Sequence, residues 1–569
     1  MQSPIYDLTF AALHGFVPLD DEPPSISTDR TSEDVSDTKY QTQPPRSKSF
    51  WWIFGSFCLS EFARAVDAVI LPVILPGIVV DLAATTTQGY MSGSSFLLCQ
   101  TIFQQVYAGL SQVLGNKTCM IAALLIFAGA SVLTGLAKTP VWIIGARALQ
   151  GAGAGGMDLM CNLITTDMVP LTRRGKYSGL LQLFGAAGMV AGMIFASGIE
   201  AKLSWRWVFF VNPFLVAAPL IILTIFFHSK PRKGDIRTHL KTVDWSGMLL
   251  VSLSCASVLY GFLAGGAIYP WGSAHVLVPI VLGTIGVVLF ILHQAFFVQR
   301  YTSAETLIPL RLFKHRTSAT GYAVTVLHSI LLAAFVNFFF IYLSVLKTSL
   351  TLLPSSCLTF TCAAIAGVVT GRIKRYRIFV VIGGVLLTAG YATFIHLREN
   401  ASRVEQLFIQ LPFALGAGVV LPARLLATQA AQHPQDMPQA AATMTFLFNL
   451  GQCFGIPIGA ATYQWEWDRL VKKDVASGLI PTQYIITSHD AEESGELIKE
   501  WPKAVSDAYR HIMAVSISKL WIVTTVISGV ILLLGILMKE VPLRDRGEPE
   551  PLREEKDFGN DDTDRLIIS

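Results

Sequence analysis

The chain has 569 residues, 52% of them hydrophobic and only 14% charged, against about 25% charged in an average soluble domain. With a mean hydropathy of +0.52, this composition excludes an ordinary water-soluble globular protein and predicts a polytopic membrane protein whose surroundings are lipid. The net charge of +4 carries no nucleic-acid footprint, so no nucleic-acid partner is expected.

Residues 1–49 are polar, acidic and Pro-rich (DDEPPSISTDRTSEDVSDTKYQTQPP) and read as a disordered cytosolic tail, without the basic-then-apolar start of a signal peptide. From there the chain alternates between apolar runs and short polar loops. A hydrocarbon core about 30 Å thick needs about 20 apolar residues per helix. Runs of that kind lie near 52–75, 90–110, 118–137, 141–161, 177–197, 207–227, 244–264, 275–297, 320–342, 349–369, 379–397, 405–427, 440–462 and 515–537. They are continuous instead of alternating, which predicts helices over barrel strands: an all-α polytopic membrane protein with 14 transmembrane helices. Seventeen Lys and Arg fall in alternate short loops, such as Lys117 and the group Arg173, Arg174 and Lys176. Six fall in the loops between (Lys138, Lys202, Arg206, Lys347, Arg398 and Arg403). The positive-inside rule then predicts both termini in the cytosol, with a loop over 463–513 outside and a cytosolic tail at 541–569. Of two glycosylation sequons, Asn116 falls on the cytosolic side, and Asn400 faces out as the possible acceptor.

Several chemistries find no residues to carry them. There is no GxxxxGK[ST] phosphate loop, no paired-His metal motif among the eleven scattered histidines, and no GxSxG elbow. No nucleotide, metal or cofactor is expected, nor enzymatic activity. The eight cysteines lie in or beside apolar runs and read as packing residues. A carrier, a channel or a receptor remains.

The first span contains CLSEFARAVDAVILP (58–72), with Glu61, Arg64 and Asp67 inside an apolar run. An ionised side chain at mid-membrane costs about 2.5–3.5 kcal/mol on insertion scales, so such groups face a wet cavity or a partner. Helical residues three apart are neighbours, so Glu61–Arg64 and Arg64–Asp67 are both expected to pair, leaving one negative charge in excess. Asp67, nearest mid-span, is the preferred proton site. On the fourth span Arg147 and Asp158 share a face about 16 Å apart, too far to pair with each other. Arg424, in the twelfth span, favours an anionic or carbonyl-rich substrate if it faces a cavity. The aromatic run Phe335, Phe338, Phe339, Phe340 and Tyr342 reads mostly as facing lipid or helices, and Trp205 and Arg206 as interface anchors. Gly151, Gly153, Gly188 and Gly192 read as positions of close helix contact.

Five stretches occur in a telling order: DAVILPVILP (67–76), IIGARALQGAGAGG (143–156), RRGKYSGL (173–180), SWRWVFFVNP (204–213) and LIPLRLFKHRT (307–317). Together they resemble the major facilitator superfamily, and within it the fourteen-helix drug:proton antiporter branch of fungi, over about residues 50–540. The resemblance implies two six-helix bundles (50–230 and 318–540) flanking a linker with two extra helices (231–317), and a central cavity with alternating access. It also implies that Arg147 is the functional arginine. Two motifs depart from the pattern. The loop after the second span reads AGLSQVLGNK (108–117), keeping Gly115 and Lys117 of the branch's conformational latch but replacing its acid with Gln112 and a base with Asn116; a weaker latch is expected. The fifth-helix motif reads GAAGMVAGM (185–193), with Met189 in place of proline. The implied activity is that of a monomeric, proton-coupled plasma-membrane exporter of a small organic compound: a toxin, a drug or a secondary metabolite. A proton-driven importer, for example of a chelated-iron compound, and a carrier-derived sensor are the alternatives.

Overall fold

The computed structural model describes residues 48–84, 86–200, 204–228, 243–266, 269–301, 306–345, 352–397, 401–433, 436–486 and 501–542. Asn400, the basic residues of 229–242 and nearly all of both tails lie outside them. Among the described residues the chain is helical, and the one β-type feature is an isolated bridge between Gly265 and Tyr269. The long helices are α1 (Lys48–Asp81), α2 (Thr86–Leu114), α3 (Asn116–Gly135), α4 (Pro140–Met168), α5 (Leu171–Glu200), α6 (Arg206–Phe226) and α7 (Trp245–Ala264). They continue with α8 (Ala274–Leu292), α9 (Arg316–Ala334), α10 (Leu352–Ile373), α11 (Tyr376–Phe394), α12 (Leu411–Ala430), α13 (Met437–Ala476) and α14 (Lys503–Leu537).

Eleven helical segments, α3 and α5 to α14, are long and apolar enough to cross a membrane. The helices α1, α2 and α4 have 34, 29 and 29 residues but are less apolar. The first carries the Glu61–Arg64–Asp67 series, the second is rich in Gln and Ser, and the fourth in Gly with Arg147 and Asp158. These three carry much of the polar chemistry inside the protein, joined by buried polar groups on other helices such as Asn212, Arg424 and Asn449. Local signals set the ends. Pro140 sits in the first turn of α4, where its missing N–H costs nothing, and Thr139 Oγ1 accepts from Trp142 N at 3.2 Å. Gly115, with φ of 80°, separates α2 from α3 in a backbone geometry that L side chains rarely adopt.

Two boundaries differ from expectation. The described residues of the expected 463–513 loop are mostly helical: α13 continues to Ala476 and α14 already begins at Lys503. The extensions are polar outside but carry a buried aromatic stripe, Tyr463, Trp467 and Tyr509, so they pack as helix although too polar to count as span. The twelfth run is broken at Gln410 into a short helix Arg403–Ile409 and α12, because Pro412 favours a fresh helix start. Two π turns, His293–Phe297 after α8 and Phe335–Phe339 after α9, widen those helices locally.

Close approach is written in glycine. Helix α4 lies against both α2 and α3. A Cβ at Gly151 would strike the Phe96 carbonyl of α2, and one at Gly153 the backbone of Phe127 on α3. Helix α5 does the same toward α1, with Gly188 against the Phe62 carbonyl and Gly192 against that of Val66. It also meets α10 where Gly175 faces Gly367. Small residues of this kind drive helix association in lipid, where apolar burial alone supplies little. One apolar core is contributed mainly by α1 to α7 and includes Phe57, Phe96 and Phe127. Another comes mainly from α9 to α14, where Phe335, Phe338, Phe339 and Tyr342 are buried with Tyr391, Phe394 and Trp521; those aromatics face helices. Helices α2 and α4 touch α13, and α5 touches α10 and α12.

Candidate functional site

Two layers of buried polar groups lie between α1 and α4. In the first, Asp67 is fully buried, and Arg147 of α4 is 1% exposed. Arg147 Nη1 donates to Asp67 Oδ2 at 2.6 Å and to Gln150 Oε1 at 2.9 Å. The other carboxylate oxygen, Oδ1, accepts from Gln150 Nε2 at 2.8 Å and Asn212 Nδ2 of α6 at 2.7 Å. Ser131 Oγ of α3 accepts from the same two amides at 3.0 and 2.9 Å and donates to the Phe209 carbonyl at 2.9 Å. The Arg147 guanidinium also lies over the Phe96 ring, 4.3 Å from its centroid. Four helices thus converge on one carboxylate. A buried charge pair is costly unless its remaining hydrogen-bonding positions are also filled; here both carboxylate oxygens have partners, while Arg147 Nε has none among the described residues.

This corrects the expected Arg64–Asp67 pairing. Among the described residues Arg64 instead donates to Glu61, from Nε at 2.9 Å and Nη2 at 2.8 Å, while Asp67 turns to α4. The helical spacing permits either pairing; the arginine at the right height on α4 decides it.

The second layer is Glu61, Arg64 and Asp158, with Asp158 close enough to act electrostatically on both others. Asp158 Oδ2 accepts from Gln104 Nε2 of α2 at 3.0 Å and from Asn449 Nδ2 of α13 at 2.7 Å, and Oδ1 accepts from Asn162 Nδ2 at 3.1 Å. Asn449 also accepts from Gln100 at 3.4 Å. Arg147 and Asp158 are not joined; each has its own partners, as their separation requires. The amides Gln104, Gln150, Asn212 and Asn449 carry no formal charge, so charge patterning in the sequence does not mark them as site residues. Their signal was present as isolated Gln and Asn inside apolar runs, as in FLFNLG around Asn449.

Asp158 opens onto a cavity of about 50 Å³ bounded by α4, α5, α12 and α13, with Arg174, Leu421, Arg424, Met444 and Phe448 among its lining residues. That space holds a few water molecules and no organic substrate of ordinary size. Arg174 bridges its end: Nη1 donates to Gln429 Oε1 of α12 at 2.7 Å, and Nε and Nη2 donate to the carbonyls of Val169 and Thr166 at 3.0 and 2.8 Å. Arg424 is 3% exposed and stacks on Phe448 at 4.4 Å. Its Nε and Nη1 have no hydrogen-bond partner among the described residues.

The latch residues are also tied, by different partners. Asn116 Nδ2 donates to Asp167 Oδ2 near the end of α4 at 3.1 Å, and Lys117 Nζ to the Thr224 carbonyl of α6 at 3.1 Å. The expected weakening is therefore met by an amide–carboxylate bond joining α3 to α4. At the opposite ends of these helices, Asp81 accepts from Trp205 Nε1 at 3.0 Å and pairs with Arg206. In the connection after α8, Arg311 reaches Asp436 at 2.6 Å.

A bundle of long apolar helices with a buried cross-helix ion pair, Asp67–Arg147, and a small cavity between α4, α5, α12 and α13 fits a membrane carrier architecture. The chain belongs to the Major Facilitator Superfamily. The family profile of that description matches residues 56–252. The chain is 31% identical over 525 residues to "MFS transporter L2" of Phoma sp., covering 91% of this chain and 86% of the relative. It is 27% identical over 544 residues to "MFS-type efflux pump LUC4" of Fusarium sp., covering 94% and 95%. Among solved structures, a bacterial homolog of the human lysosomal transporter Spinster shares the fold with a TM-score of 0.53 at 13% identity, over 88% of this chain and 99% of that one.

Proposed function

We propose that this chain is a proton-coupled exporter of a small organic compound, working by alternating access in the plasma membrane with both termini cytosolic. The observation that carries the reading is the buried Asp67–Arg147 pair with its Gln150 and Asn212 ligation. A proton on Asp67 removes one partner of the pair and releases Arg147, so protonation and helix arrangement are linked through a single contact. The relatives named as efflux pumps support the outward direction. Adding α1, α2 and α4 to the eleven apolar helices gives fourteen spans, the number in the drug:proton antiporter branch that the motifs resemble. Six of them would form each bundle, with α7 and α8 as the extra pair. Asp67 and Arg147 form the proton layer; Glu61, Arg64, Asp158 and Arg424 border the substrate path.

The experiment compares compounds inside cells and in the medium for null and wild-type strains, with and without a protonophore. The reading expects at least one compound retained by null cells and released by wild type only while the proton gradient stands. A compound that null cells fail to take up would instead establish an importer. Ligand binding without any flux would establish a sensor.

A further inference from the structure

We infer that the cavity beside Asp158 is an anion-recognition site, and that the exported compound is an amphiphilic organic acid whose ionised group seats on Arg424. The inference deepens the export reading and rests on it. Its observations are separate from the Asp67 network.

Among the described residues, Arg424 is a buried cation with no ion pair and no acceptor at Nε or Nη1. Arg64 has Glu61, Arg147 has Asp67, and Arg174 is held by an amide oxygen and two carbonyls. Arg424 has a ring face beneath it and two nitrogens without acceptors. A buried guanidinium with unfilled donors forfeits its hydration and gains no ion pair in return. Pro422, two residues earlier on α12, has no N–H to return to the preceding turn and eases the local backbone. His328 on the adjoining helix α9 is fully buried, lies within electrostatic reach of Arg424, and has neither ring nitrogen hydrogen-bonded among the described residues.

The charges around the cavity give the class of ligand. Arg174 and Arg424 line it with one carboxylate, Asp158, and no ion pair joins Asp158 to Arg424 among the described residues. An anion would give Arg424 the acceptor and counter-charge it lacks, whereas a cation would supply neither. Asp158, already accepting from three amides, would hold a hydroxyl or amide donor of the same molecule. Phe448, Leu421 and Met444 offer an apolar wall to the rest of it. The small volume requires α12 or α13 to move apart from α4 before the compound enters.

The test uses the full chain in two assays. In cells, the compound whose release requires this chain should carry a group ionised at neutral pH; Arg424→Gln should reduce its release at least tenfold, and Arg424→Lys should keep part of it. In lipid nanodiscs, 4-phenylbutyrate should bind at least tenfold tighter than its uncharged amide, and Arg424→Gln should erase the difference. Arg424→Gln should also melt no lower than wild type, since it removes an unpaired buried charge; a large drop in melting temperature would mark Arg424 as structural and overturn the inference. A neutral or cationic exported compound, or wild-type release by Arg424→Gln, overturns it as well. If no compound depends on the chain for release, the export reading fails, while the nanodisc preference, present or absent, still decides the anion site.

Discussion

Asp67 and Arg147 depend on each other, and single substitutions there should show it. Arg147→Ala leaves a buried carboxylate with amide donors only, and breaking a buried pair from one side costs about 3–5 kcal/mol. We expect poor expression or a markedly lowered melting temperature for Arg147→Ala. The doubly neutral Asp67→Asn/Arg147→Gln should regain stability, because it removes both charges and keeps hydrogen-bonding shape. A double variant as unstable as the single one would mean that the pair is not the energetic unit described. Asp67, Arg147, Glu61, Arg64 and Asp158 were all legible in the sequence as charges out of place in apolar runs. Their pairing was not, because spacing along one helix gives only the neighbours on that helix. The partner that captured Asp67 comes from a residue eighty positions away, and its height on α4 is set by helix packing.

At the scale of the element, glycine fixes how α4 and α5 sit. Gly151→Val places two methyl groups on the Phe96 carbonyl, and overpacking of this kind typically costs about 1–3 kcal/mol. A thermal melt of the purified variant should fall accordingly, and an unchanged melt would contradict the α2–α4 contact. These positions were readable from the small-residue pattern, although which neighbour each glycine meets was not. The α3–α4 tie is a finer matter. Asp167→Ala removes the acceptor of Asn116, so cross-linking between cysteines placed at the α2–α3 turn and the end of α4 should slow. Asn116→Asp, which sets two carboxylates against each other, should slow it further. The sequence showed the latch acid missing from its usual position and gave no sign that an amide would bond to Asp167 instead. The helical extensions of α13 and α14 were hidden for a related reason: hydropathy reports what meets lipid, and their polar outer faces hide the buried Tyr463 and Trp467.

For the whole molecule, the proposed fourteen spans would put the two ends of the described chain on one side of the membrane. Reporters fused before Lys48 and after residue 542 should be protected alike in intact cells, and opposite protection would contradict the span count and the orientation. The membrane potential adds a consequence. Moving one elementary charge through 100 mV is worth about 2.3 kcal/mol, and an inside-negative potential drives a proton inward and an anion outward alike. Export of an organic acid in exchange for a proton is therefore favoured by both the pH gradient and the voltage. Import of the same acid by such an exchange would work against the voltage.

Proton exchange through Asp67 is tested most directly by the movement of protons that accompanies export. Membrane vesicles containing the full chain and a pH-sensitive dye would be given the released compound, comparing wild type with Asp67→Asn/Arg147→Gln at matched abundance. The account predicts a compound-dependent proton flux in wild type, opposite in direction to the compound, and none in the double variant. Equal proton flux in the two would contradict it and move the coupling site away from the α1–α4 network.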